Sequence, residues 1–169
     1  MSKSVSLPPI EKLQEWLNYD PVSGIFTWKK RCGNKCAGSE AGGVDAFGYR
    51  RIRVNARKYQ AQRIAWIMVT GEDPGEYHVD HINSNTSDNS FANLRLATNS
   101  QNACNRGAPS NNTSGYKGVT WKKLKNRWSA QIMINSKKKN LGYFDTAEDA
   151  YAAYCKAADD FHGNFARTK

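Results

Sequence analysis

Residues 79–106, VDHINSNTSDNSFANLRLATNSQNACNR, hold the side chains best suited to chemistry. The run opens with a carboxylate beside an imidazole, Asp80 and His81, and continues through an Asn-rich stretch that includes Asn93 and Asn102. Imidazole can accept a proton near neutral pH and hold it. Carboxylate and amide oxygens are hard donors, suited to Mg²⁺ or Mn²⁺ and unsuited to soft metals. Each piece alone is weak, because Asn is common in loops and an Asp-His pair arises by chance. The ordered set, ending on a basic residue, is far more specific. His78, two residues before Asp80, reads as a surface or phosphate contact, and His162 reads as structural. Cys32 and Cys36 are spaced for a zinc pair, but a structural zinc site needs four ligands, and Cys104 and Cys155 make no second pair. Free thiols are the expectation.

The elements around this run follow from periodicity and turn chemistry. Ile10 to Leu17 reads as a short helix, Tyr19 to Gly24 as a turn, and Ile25 to Lys29 as a strand. Arg31 to Gly48 is Gly-rich and loop-like. Strands are expected at 49–54 and 58–61, then a helix over 62–70 closed by Gly71. Tyr77 to Ile82 is β-like, Asn83 to Ser90 is a polar loop, and Leu94 to Ala97 is a strand. Thr98 and Gln101 have the spacing of a capping box for a helix carrying Asn102. Adjacent strand residues face opposite ways, so Asp80 and His81 can share a site only at a strand end or bulge.

GAPSNNTSG, residues 107–115, has linker composition. Beyond it, Lys117 to Trp121, Arg127 to Ile134 and Lys138 to Phe144 read as strands. The second alternates cleanly, with Trp128, Ala130, Ile132 and Ile134 on one face. A helix follows, with an apolar stripe of Ala147, Ala150, Tyr151, Tyr154, Ala158 and Phe161. The expected domains are 1–106, a linker 107–115, and 116–169, the last a two-layer unit.

Charge points to the same class of partner. The net charge is +10, and both parts share it: 14 basic against 10 acidic residues up to 106, then 11 against 5. That surplus favours a polyanion such as nucleic acid. No long apolar run or signal peptide is present, so no membrane partner and a cytosolic location in the host cell are expected.

The run from Val79, with the flanking YDPVSGIFTW and GYRRIRV, resembles the HNH endonucleases of the homing-endonuclease-like branch found in phages and mobile introns. The resemblance covers about residues 15–106. It implies an α+β fold whose first part is a ββα-metal (His-Me finger) module around one divalent cation, Mg²⁺ or alternatively Mn²⁺. Carried across by position, His81 is the general base for phosphodiester hydrolysis, Asp80 and Asn102 hold the cation, and Asn93 orients the His81 ring by accepting from its second N–H. One departure is Gln62, where family members often carry His.

SGYKGVTW, RWSAQI, LGYFDTAEDAYAAY and HGNFAR, within residues 114–167, resemble the plant AP-two/ERF DNA-binding domain. That family lays a three-stranded antiparallel sheet, backed by one helix, in the major groove. Its contact positions fall on Lys117, Thr120, Lys122, Gln131, Met133, Lys138 and Asn140. The residues agree: Gln131 and Met133 lie opposite the apolar face, and Gln can pair with an adenine edge. Lys137 to Lys139 read as phosphate contacts, and Trp121 and Trp128 as core. Several plant Arg and Trp positions differ, so the plant target is not transferable.

The expected function is a metal-dependent DNA endonuclease, nicking as a monomer or weak dimer at a site chosen by the second domain. The alternative is a transcription-factor-like DNA binder with an inert nuclease module. RNA binding is disfavoured, because the free sheet face lacks aromatics for base stacking.

Overall fold

A computed structural model describes residues 6–104, 107, 112–134 and 137–166. The chain divides into two compact units, residues 1–98 and 99–169. That division precedes the linker expected at 107–115, of which 108–111 lie outside the described residues.

In the first unit, α1 (Ile10–Trp16) leads directly into β1 (Leu17–Tyr19), which pairs antiparallel with β2 (Phe26–Trp28). The turn between them is DPVSG. Asp20 Oδ1 accepts from the Val22 amide and its Oδ2 from the Ser23 hydroxyl, as Asp does at the first position of a turn. Next comes a sheet in the order β3 (Gly43–Val44), β4 (Arg50–Val54), β5 (Arg57–Gln60). Asn55 and Ala56 both have positive φ, as a two-residue hairpin between β4 and β5 requires. α2 (Ala61–Thr70) ends on Gly71 at φ 79°, whose N–H bonds to the Ile67 carbonyl. An L side chain there would be strained, which is why Gly closes the helix.

One core serves this unit. Leu13, Leu17, Phe26, Ile52 and Ile64 are fully buried and pack with Val79 and Leu94. Each such side chain contributes about 1.5–3 kcal/mol by leaving water. The last two belong to an antiparallel ribbon of β6 (His78–His81) and β7 (Leu94–Ala97), so the core grips the strands that carry the catalytic candidates.

The second unit opens with α3 (Asn99–Cys104). Its sheet has the order β10–β9–β8, formed by β8 (Val119–Lys122), β9 (Arg127–Ile134) and β10 (Lys137–Phe144). α4 (Ala147–His162) packs on one face. Its N-cap is Thr146, whose hydroxyl accepts from the Asp149 amide at 3.1 Å and donates to the Asp149 carboxylate at 2.7 Å. Ala150, Tyr154, Ala157 and Ala158 form its buried stripe. Phe161, expected in that stripe, is about half exposed, with Lys139 Nζ 4.4 Å from its ring centre. It falls on the last turn, beyond the region where α4 is fully covered. Trp121, expected in the core, is only partly covered and stacks edge-on against Trp128. Gly118 has φ 75°, and a Cβ there would lie 2.3 Å from the Tyr154 ring, so only Gly allows the strand entry to meet the helix.

Candidate active site and nucleic-acid interface

The β6–β7 ribbon sets the geometry of the first site. Its register is regular: Val79 opposes Leu96, Asp80 opposes Arg95, and His81 opposes Leu94. The pleat therefore puts Asp80 and Arg95 on one face and His81 on the other. No bulge intervenes, and His81 is the final strand residue, at the strand end that a shared site demands. Asp80, His81 and Asn93 are all buried.

Arg95 donates to Asp80 Oδ2 twice, from Nε at 3.0 Å and from Nη2 at 2.9 Å. Burial of a carboxylate demands such compensation. Arg95 was not singled out from the sequence. The signal was there: antiparallel pairing of the DHI and NLR runs sets Arg95 across from Asp80.

The polar loop after His81 is stitched by its own side chains. Asn83 Oδ1 accepts from the Asn85 amide, Asn85 Oδ1 from the Ser87 amide, and Asp88 Oδ1 from the Ser90 amide and hydroxyl. Asn83 Nδ2 donates to Asp88 Oδ2 at 2.8 Å. The Ser90 hydroxyl and amide hold Asp88 below the usual carboxylate range. Asx turns thus replace helix or sheet ladders over these residues.

Asn93 closes the loop. Its backbone carbonyl accepts from the Ile82 amide at 2.9 Å, its Oδ1 accepts from the Asn83 amide at 2.9 Å, and its Nδ2 donates to the Asp88 carbonyl at 2.8 Å. The amide expected on the His81 ring is thus engaged with the backbone that leaves His81. The residue found against the ring is Asn89, whose Oδ1 lies 3.3 Å from Nε2. Burial lowers the His81 pKa, opposed by Asn89 and the charges of Asp80 and Asp88, which favours the neutral ring. Asn102 lies half-buried on α3, in the second unit. Gln62 is buried on α2, and its Oε1 has no hydrogen-bond partner. His78 is exposed.

Cys32, Cys36 and Cys155 are free thiols. Among the described residues, no three or more His, Cys, Asp or Glu cluster as metal ligands. No described helix is long and apolar enough to cross a membrane.

In the second unit, the face of the sheet away from α4 gathers the residues expected to meet DNA. Gln131 pairs with Asn140 across β9 and β10, and Met133 pairs with Lys138. Thr120 opposes Ser129, and Lys122 opposes Arg127. Lys117 sits in the turn leading into β8. β9 and β10 run on past the start of β8, where a cavity of about 610 Å³ opens. Lys117, Thr120, Gln131, Met133 and Lys138 line it, with Asn99, Ser100 and Ala103 of α3 and with His162. Burial, and then the charge of Lys117, lower the pKa of His162. Ser129 is fully buried on this face and its hydroxyl has no partner.

Comparison with known proteins gives the same division of labour. Residues 59–104 match the HNH endonuclease family, and residues 114–164 match the AP2 domain. Protein 3.8 of Escherichia phage T7 is 34% identical over 102 residues, 60% of this chain and 84% of the relative. An uncharacterized HNH endonuclease of Acanthamoeba polyphaga mimivirus is 34% identical over 110 residues, 64% of this chain and 56% of the relative. APETALA2-like protein 2 of Oryza sativa is 41% identical over 58 residues, 34% of this chain and 13% of the relative. No solved structure matches. The chain belongs to the family of phage T7 protein 3.8 and carries an N-terminal HNH endonuclease domain followed by an AP2 DNA-binding domain. Both domains imply DNA as partner.

Proposed function

We propose that this protein is a metal-dependent DNA endonuclease that nicks DNA at a site selected by its AP2 domain. The observation that carries the reading is the buried Asp80–His81 pair at the end of a strand, followed by a loop that Asn93 pins on both sides.

His81 takes the proton of the attacking water, and its burial keeps the ring neutral for that task. Asn93 fixes the backbone that leaves His81 and so the direction of the ring. Asp80 and Asn102 would supply carboxylate and amide oxygens, the donor chemistry of a hard cation such as Mg²⁺ or Mn²⁺. When bound, that cation supplies charge stabilisation on the phosphate and the leaving oxygen. Thr120, Lys122, Gln131, Met133, Lys138 and Asn140, with Lys117, read and grip the target duplex. The working domains in this reading are 1–106 and 116–169, joined by 107–115. A single such module cuts one strand, which suits a monomer or weak dimer.

One observation favours a second reading, a DNA binder with an inert nuclease module: Arg95 already neutralises Asp80. The two readings separate on supercoiled DNA. With Mg²⁺ or Mn²⁺ the wild type should convert it to the nicked circle, EDTA should stop this, and His81→Ala should lower the rate at least about 100-fold with DNA affinity unchanged. Tight binding without metal-dependent nicking would establish the inert reading.

A further inference from the structure

Asn89 has no part in the roles given above, yet it is among the most deeply buried polar residues of the described chain, only 1% exposed. Its Nδ2 donates to the Ser87 carbonyl at 3.3 Å. That bond fixes the amide, because a flipped side chain would set two oxygens against each other. Oδ1, a pure acceptor, therefore faces His81 Nε2 at 3.3 Å. A neutral ring has one N–H, and Nε2 must carry it to meet an acceptor. The lone pair is then on Nδ1.

The backbone of Asn89 is held from outside residues 59–104, the stretch that matches the nuclease family. The Tyr19 hydroxyl donates to the Asn89 carbonyl at 2.7 Å. The Tyr19 ring stacks on Phe26 across the β1–β2 pair, with centroids 4.5 Å apart. Burial, then the charges of Asp20 and Asp88, push the Tyr19 hydroxyl up to about 12, so it remains a donor throughout the working range. The Pro21 carbonyl accepts from the Phe91 amide at 2.8 Å. Gly24 sits so close that a Cβ would lie 2.3 Å from Ser90 N and 2.4 Å from Asn89 C. Residues 19–24 thus clamp residues 89–91 by a side chain, a carbonyl and a bare backbone contact.

We propose that Asn89 is a positioning residue for the nuclease reaction, setting the His81 tautomer with the proton-accepting lone pair on Nδ1, and that the β1–β2 hairpin is the clamp that holds it. The role in the reaction rests on His81 being the base. Asn89 acts through that ring and touches no substrate.

The test is the tautomer itself, read from the ring ¹⁵N shifts of His81 in the full chain with EDTA present, at a pH where the ring is neutral. Wild-type protein should show the proton on Nε2. Asn89→Leu, similar in size but without an acceptor, should lose that preference and slow nicking by about 10-fold or more, as such orienting partners do. Asn89→Asp keeps an acceptor and should retain the tautomer. Tyr19→Phe should weaken the preference less than Asn89→Leu. A wild-type ring with its proton on Nδ1 overturns the proposal without any variant, and so does a folded Asn89→Leu that keeps the Nε2–H tautomer. Nicking that survives His81→Ala would instead overturn the base assignment, and with it the part of Asn89 in the reaction, while the measured tautomer would still report its contact with the ring.

Discussion

The two units place their working residues in opposite environments. In the first, Asp80, His81, Asn89 and Asn93 are buried, and each has fixed polar partners. In the second, Lys122, Gln131, Met133, Lys138 and Asn140 stand half-exposed or exposed on the face that α4 leaves uncovered. A reacting group must be held in one protonation state and one direction, and burial with fixed partners does both. A reading surface has to meet a duplex, so its polar groups stay in water until DNA replaces it. Changes in the first unit should therefore cost stability as well as activity, and changes on the second face should cost binding alone.

The largest test of that contrast is Arg95. Its removal leaves the Asp80 carboxylate buried without its cationic partner, and breaking such a pair costs about 3–5 kcal/mol. Arg95→Met keeps most of the volume and should lower the unfolding free energy obtained from urea titration by that amount. Divalent cation should then stabilise the variant more than the wild type, because a bound cation supplies the missing positive charge and adds RT ln(1 + [L]/Kd). Equal Mg²⁺ shifts in both proteins would separate Asp80 from the cation.

Gly24 comes next. Alanine there meets the Asn89–Ser90 backbone and must also hold φ 72°. The left-handed conformation costs about 1–2 kcal/mol and the overpacking about 1–3 kcal/mol. Gly24→Ala should be destabilised by about 2–5 kcal/mol in urea unfolding and should nick more slowly, with DNA affinity retained where the protein stays folded. A neutral Gly24→Ala would remove the hairpin from the account of the site.

The sequence disclosed these two units unequally, for a related reason. β9 has the bounds that alternation assigned, and α4 buries Ala150, Tyr154 and Ala158 of its expected stripe, because these signals are local and repeat over many residues. β1 and β3 span three residues and two, too short for any period to register, and their partners lie elsewhere in the chain. The same limit hid Asn89, Arg95 and Tyr19. Residue type drew attention to Asp80, His81, Asn93 and Asn102, but the partner of each ring or carboxylate is set by tertiary pairing. Tyr19 and Asn89 meet across 70 positions of sequence. On the open sheet face no such pairing was needed, and strand parity alone placed Gln131 and Met133 opposite the core.

That open face gives the smallest expected stability effect and the cleanest break of the comparison. Gln131→Ala and Lys138→Ala remove an exposed or half-exposed group each from paired strands without touching the core. Unfolding should move by no more than about 0.5 kcal/mol for either. Binding should separate them. Loss of Lys138 should weaken affinity for all duplexes alike and reduce the slope of log K against log salt by about 1, as one phosphate contact fewer requires. Loss of Gln131 should leave that slope unchanged and relax the preference at one base pair, at about 1–3 kcal/mol. A variant of this face that unfolds the protein would show that these residues hold structure, and the contrast between a buried reacting site and an exposed reading surface would fail at its simpler end.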